Sequence, residues 1–94
     1  MMENNTIAAF HIRSNQDGII KLNTSKMYHW HIPKFLRDDP IQRGDIVLVR
    51  TSKGKSAVLV MQVFREEIEE TQKHYKRVLK VLERVSKKEK DLVH

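Results

Sequence analysis

Residues Pro40 to Phe64, PIQRGDIVLVRTSKGKSAVLVMQVF, carry the strongest structural signal in this chain. They hold two apolar runs, Ile46–Val49 and Ala57–Met61, on either side of a basic turn. Short runs rich in β-branched residues around a Gly-containing turn are typical of a β-hairpin. With Lys53-Gly54 as a two-residue loop, both faces of this hairpin are apolar, because residues opposite each other in an antiparallel pair share a face. Each apolar face therefore needs a cover.

That loop also predicts the register of the hairpin. Val49 is expected opposite Val58 on one face, and Leu48 opposite Leu59 on the other. The interior of a small barrel can cover only one of these faces. The second face needs another element of the chain.

The C-terminal part of the chain offers that element. From Arg65 to Leu92 there is no Pro or Gly, and residues with high helix propensity dominate. Acidic residues open this segment and lysines close it, which complements a helix dipole. We expect an amphipathic helix over about residues 66–88 and a frayed end at 89–94. The run from Tyr75 to Leu82 leaves one alternative open, a fifth strand, because periodicity alone does not assign short apolar runs.

The residues before the main hairpin also favour strands. Thr6–Arg13 has strand propensity and leads to Asp17-Gly18, a strong turn signal because both residues tolerate positive φ. Ile19–Leu22 is expected to return antiparallel to the first run. Met27–Ile32 is predicted as a further strand, and Lys34–Arg37 as a short turn.

Length and composition bound the class of protein. The 94 residues predict a single domain, 1–94, with a barrel over about 5–65. The chain has no cysteine, no apparent signal peptide and no apolar run long enough to span a membrane, so we expect a cytoplasmic protein without a membrane partner. The net charge of +6 favours polyanionic partners, which are nucleic acids or acidic proteins.

The order of these features resembles that of small SH3-like β-barrel domains. The motif Gly44-Asp45-Ile-Val-Leu-Val49 before Lys53-Gly54 is similar to that of uncharacterised proteins carried by phages and mobile elements of Gram-positive bacteria. The resemblance covers about residues 26–65. It implies a small SH3-like antiparallel β-barrel and a mobile-element origin. Together with the helix expected from composition, the predicted fold class is mainly β or α+β, with the C-terminal amphipathic helix packed on the second face of the hairpin. It transfers no functional residue.

An aromatic run in the third predicted strand is the first candidate site. Tyr28, His29 and His31 could form a stacking platform, because exposed rings beside cations bind single-stranded nucleic acid in many barrel domains. The alternative is that the neighbouring Trp30 packs inward and the histidines lie on the solvent face. The two histidines could also begin a metal site, but zinc needs three or four ligands and no cysteine is available, so no metal is expected.

Cations form the second candidate site, for contacts with phosphates or with an acidic partner. One group surrounds the main hairpin turn, and the other lies in the C-terminal segment. The predicted binding residues are Arg43, Arg50, Lys53, Lys55, Lys73, Lys76, Arg77, Lys80 and Arg84. The alternative for both groups is an ordinary solvated surface.

Nothing in the chain indicates catalysis. The serines lack a Gly-x-Ser-x-Gly motif, and three glycines cannot supply a Gly-rich phosphate loop. We expect no enzyme, no catalytic residue and no cofactor. The favoured function is a nucleic-acid-binding accessory protein. The alternative is a protein-interaction adaptor or inhibitor, phage-borne in origin, that binds an acidic protein, and homodimerisation through the C-terminal helix is a third hypothesis.

Overall fold

The protein is mainly β. The computed structural model describes residues 3–67 and 75–85. Their elements are a 3₁₀ turn at Lys34–Leu36 and five strands: β1 Thr6–Gln16, β2 Ile19–His31, β3 Ile46–Thr51, β4 Gly54–Phe64 and β5 Val78–Glu83. The strands form one antiparallel sheet in the order β2-β1-β4-β3-β5.

The hydrophobic core covers one face of this sheet, which we call the inner face. Alternation along the strands places every second side chain there. Its fully buried members come from four strands and are Ile7, Ala9, Val47, Val49, Val58, Val60 and Val78. Trp30 closes one end of the core, where its indole Nε1 donates to the carbonyl oxygen of Arg50 at 3.0 Å.

The sheet is open, so the prediction of an SH3-like barrel is wrong. A barrel requires a continuous ladder of hydrogen bonds between its first and last strands. In the described part of the chain, β2 and the lead-in to β5 meet at one parallel bridge, between His31 and Arg77. The backbone N–H of His31 donates to the carbonyl oxygen of Lys76 at 2.9 Å. The two edges of the curved sheet thus touch at one point without joining.

The predicted C-terminal helix is also wrong, because Val78–Glu83 forms β5. Val78 is fully buried in the core opposite Val49, and Lys80 pairs with Leu48. The open edge of β3 supplies backbone partners and a buried position, which outweigh a helix propensity of a few tenths of a kcal/mol per residue. The fifth strand that the sequence left as an alternative is therefore present. The rest of the predicted helix, at 68–74 and 86–88, and the predicted frayed end at 89–94 lie outside the described residues.

The β3–β4 hairpin forms with a different turn from the predicted one. Thr51 pairs with Gly54, so the two-residue loop is Ser52-Lys53 and Val47 lies opposite Val58. The Thr51 hydroxyl fixes this turn, since it accepts from Lys53 N and donates to Gly54 O, both at 3.2 Å. The register differs by two residues from the prediction. A shift of two leaves every side chain on its predicted face.

The first hairpin has the predicted turn. Asp17 and Gly18 have φ values of 55° and 78°, which only a few residue types adopt at low cost. The runs predicted as separate strands, Ile19–Leu22 and most of Met27–Ile32, belong to the one strand β2. β1 pairs with β4 only as far as His11, and beyond it only with β2. Residues 12–22 therefore form a two-stranded projection, the β1–β2 arm.

Asp45 joins the start of β3 to the end of β5. Its side chain is buried, and its two carboxylate oxygens accept from Gln42 N and Val85 N, each at 2.9 Å. Gly44 before it has a φ of 95°, and a Cβ there would lie 3.2 Å from Val85 Cγ2. Gly44 and Asp45 therefore have a structural role, which is to connect the start of β3 to the residues that follow β5.

Candidate functional site

A groove opens where the inner face ends beside the β3–β4 turn. It has a volume of about 630 Å³. Its lining comes from β1, β2, the β3–β4 hairpin and the segment before β5. The lining residues are His11, Tyr28, His29, Trp30, Arg50, Thr51, Ser52, Lys53, Lys55, Ser56, Tyr75 and Lys76. We call it the aromatic–basic groove.

β2 places two of the rings. Tyr28 pairs with Ala9 and Trp30 with Ile7, so both rings belong to the inner face. Trp30 is only 4% exposed, whereas Tyr28 is 40% exposed at the mouth of the groove. Trp30 is therefore a fixed part of the wall, and Tyr28 is the ring that a ligand can reach.

β1 and β4 add a polar pair beside these rings. His11 Nδ1 and Ser56 Oγ share a hydrogen bond of 3.0 Å. The His11 ring stands edge-on to both aromatic rings, with centroid distances of 5.2 Å to Tyr28 and 5.4 Å to Trp30. Edge-to-face packing of this kind holds the imidazole in one orientation.

A second ring pair, His29 with Tyr75, forms another part of the groove's lining. His29 stacks on Tyr75 at 5.6 Å with an interplanar angle of 21°, and it meets Phe64 edge-on at 5.9 Å. The Tyr75 hydroxyl donates to Glu66 Oε1 at 3.1 Å, which anchors the ring. The Tyr75–His29 stack therefore extends the aromatic surface along the lead-in to β5.

Cations surround the aromatic rings. Arg50, Lys53, Lys55 and Lys76 line the groove, and no Asp or Glu of the described residues is among its lining. A fifth cation, Lys26, has its Nζ 4.9 Å from the centroid of the Tyr28 ring. A cleft lined by charges of one sign concentrates ligands of the opposite sign. The groove is thus suited to a polyanion that also carries flat rings.

The structure unites six of the predicted site residues. Arg50, Lys53, Lys55, Lys76, Tyr28 and His29 all line the groove. Sequence reasoning missed His11, Ser56 and Tyr75, which come from three separate parts of the chain. The alternating pattern around Trp30 indicated which of its neighbours share a face, but nothing in the sequence indicated that β1 adjoins β4 there.

Four other predicted cations lie outside the groove. Arg43 and Arg84 are at the opposite end of β3, where Arg84 Nη1 donates to Pro40 O at 2.8 Å and lies 3.7 Å from Asp45 Oδ2. Lys80 is exposed opposite Leu48, on the face away from the core, and Arg77 adjoins the bridge between the sheet edges. Lys73 lies outside the described residues.

His31, the third residue of the predicted stacking platform, is half-buried and does not line the groove. Burial lowers the pKa of its imidazole, and the nearby positive charges of Arg37 and Arg77 lower it further, while the backbone of Asn5 opposes the shift. Its environment therefore favours the neutral imidazole. His31 itself forms the bridge to Arg77, where the two edges of the sheet meet.

The described ranges contain neither a metal-binding cluster nor a membrane-spanning helix. No group of three His, Cys, Asp or Glu side chains there could hold a metal ion. None of the helical segments in those ranges has the length and apolar character needed to cross a lipid bilayer.

Comparison with known proteins gives one relationship. No curated protein matches the chain, and no solved structure matches it. The model of a family described as "Family of unknown function (DUF5839)" matches residues 2–84. This range includes all five strands and every residue that lines the aromatic–basic groove. With nearly nine-tenths of its length matched, the chain belongs to the DUF5839 family.

Proposed function

We propose that this protein is a nucleic-acid-binding accessory protein that holds single strands in the aromatic–basic groove. The observation that carries the proposal is the convergence of an exposed ring, Tyr28, with four cations in one groove. Each of these features is common on protein surfaces when it occurs alone. Their meeting in one place, without a carboxylate of the described residues in the lining, supports a ligand that has both phosphates and bases.

The two kinds of side chain have separate roles. Lysine and arginine attract phosphates without reading sequence, and this attraction weakens as salt rises. Exposed aromatic rings stack on bases, and each stacked base contributes about 1–3 kcal/mol. A duplex hides the faces of its bases, whereas a single strand presents them. The combination therefore favours single strands over duplexes.

Fluorescence anisotropy with labelled oligonucleotides tests the proposal. Single-stranded DNA and RNA should bind more tightly than a duplex of the same length. The double variant Lys53→Ala with Lys55→Ala should weaken binding. It should also reduce the slope of the logarithm of the association constant against the logarithm of the salt concentration by about 1.4, because each lost phosphate contact on a single strand contributes about 0.7. Arg43→Ala with Lys80→Ala removes the same charge outside the groove and is the matched control.

A second variant separates stacking from charge. Tyr28→Ala should weaken binding with little change in the salt slope, since the ring carries no charge. Absence of oligonucleotide binding even at low salt would overturn the proposal. An adaptor or inhibitor role toward an acidic protein would then be the remaining explanation of the basic groove.

A further inference from the structure

The groove contains one pair of polar side chains that has no part in attracting phosphates or in stacking on bases. His11 Nδ1 and Ser56 Oγ share a hydrogen bond of 3.0 Å, and both residues are half-buried in the lining. The other half-buried hydroxyls of the lining are those of Thr51, which is engaged within the β3–β4 turn, and Tyr75, which donates to Glu66 Oε1. We propose, on the basis of the function above, that His11 and Ser56 hydrogen-bond the edge of an unpaired base and so give the groove a preference among bases.

The hydrogen-bonding capacity of the pair supports this role. An imidazole has two ring nitrogens, and the bond to Ser56 uses only Nδ1 of His11. His11 Nε2 makes no hydrogen bond to any residue in the described ranges. If the Ser56 hydroxyl donates to Nδ1, Nε2 carries the hydrogen and donates; in the opposite arrangement Nε2 accepts. The pair therefore leaves one ring nitrogen for a ligand in the groove.

The surrounding rings hold that nitrogen in place. His11 packs edge-on against Trp30, whose own position is fixed by burial and by its bond to the Arg50 carbonyl oxygen. Ser56 lies on β4 opposite Val49, a fully buried residue. A recognition group held this way loses little conformational entropy when it binds.

The His11 ring lies close enough to the Tyr28 ring to contact the edge of a base that stacks on Tyr28. The centroid of the His11 ring is 5.2 Å from that of Tyr28. A base that stacks on Tyr28 brings the nitrogen and oxygen atoms of its edge to the neighbourhood of His11. Single strands are recognised in this way, by stacking on a ring and by hydrogen bonds to the base edge.

The test measures base preference rather than binding alone. Labelled oligo-thymidylate, oligo-adenylate and oligo-cytidylate of one length are titrated against the wild type, His11→Phe and Ser56→Ala. The wild type should prefer one of them by about tenfold, the discrimination expected of one good hydrogen bond. His11→Phe keeps a ring against Trp30 but removes both nitrogens, and it should reduce the preference to about twofold by weakening the binding of the preferred oligonucleotide.

Ser56→Ala is the second variant, because it leaves every ring in place if His11→Phe does not fold. It should reduce the preference in the same direction. Two results would overturn the inference while leaving the proposed function intact: a wild type that binds all three oligonucleotides equally, or a preference that survives both substitutions. Failure of the wild type to bind any oligonucleotide would instead remove the proposed function itself.

Discussion

Asp45 is the buried charge on which the end of the sheet opposite the groove depends. Its side chain is 1% exposed and accepts from two backbone N–H groups, those of Gln42, three residues before it, and Val85, 40 residues after it. Arg84 lies 3.7 Å from its Oδ2. Removal of the carboxylate would leave the N–H groups of two partly buried hydrogen bonds without their acceptor. Such groups cost about 1–3 kcal/mol each.

We therefore expect Asp45→Ala to lower the free energy of unfolding by about 2–4 kcal/mol. Urea denaturation followed by circular dichroism measures this change. Asp39→Ala is the matched control, since Asp39 is 86% exposed and its ion pair with Arg84 is a surface contact worth less than about 1 kcal/mol. Equal effects of the two substitutions would contradict the role given to Asp45.

His31 should make stability depend on pH. Its pKa in the folded protein is lowered by burial and by Arg37 and Arg77, whereas in the unfolded chain it stays near 6.5. Just below that value the unfolded chain binds more protons, so the free energy of unfolding falls as the pH decreases through 6.5 and is unaffected by His31 above it. His31→Gln should flatten this part of the stability profile. His29→Gln, on the same strand, controls for loss of an imidazole; equal profiles of wild type and His31→Gln would refute the effect.

At the scale of elements, the β1–β2 arm is expected to be the least stable part of the described sheet. Beyond His11, β1 pairs only with β2, and Ile19 beside the turn is 65% exposed. A two-stranded hairpin without further packing is marginal in water. Amide hydrogen exchange should therefore be faster at residues 12–22 than in β3 and β4. Equal protection in the arm and in β4 would show that the arm is stabilised by contacts beyond its own pairing.

The elements also show what could be predicted from sequence and what could not. The Asp17-Gly18 turn was predictable because positive φ restricts the choice of residues. The assignment of hairpin side chains to faces was predictable too, since it survives a register error of two residues. The hydrogen bonds of the Thr51 side chain, which select the turn of the β3–β4 hairpin, leave no pattern in the sequence from which they could be predicted. Val78–Glu83 has helix-forming neighbours, and only the open edge of β3 makes it a strand.

At the scale of the molecule, the two ends of β3 have different tasks. The six residues of β3 span about 17 Å. One end lies beside the aromatic–basic groove, and the other beside Asp45 and Arg84. If the groove binds the ligand, NMR chemical-shift changes on addition of an oligonucleotide should be concentrated near Tyr28, Lys55 and Tyr75. Chemical-shift changes confined to Arg43 and Arg84 would place binding at the other end of β3 and would contradict the proposed site.

About half of the groove could be predicted from the sequence. Tyr28 and His29 were indicated by a run of rings beside cations, and Lys53 and Lys55 by an exposed turn. His11 and Ser56 are 45 residues apart and resemble many other polar residues of the chain. They become a pair only because β1 lies beside β4, and no local pattern encodes that adjacency.

The order of the strands has a consequence for folding kinetics. β1 with β2, and β3 with β4, are hairpins joined by tight turns, which form within microseconds. The pairing of β1 with β4 closes a loop of about fifty residues, and such non-local contacts slow folding. We expect the docking of the two hairpins to be the rate-limiting step. In stopped-flow experiments, Val60→Ala at this seam should then slow folding, whereas Gly18→Ala in the arm should mainly accelerate unfolding.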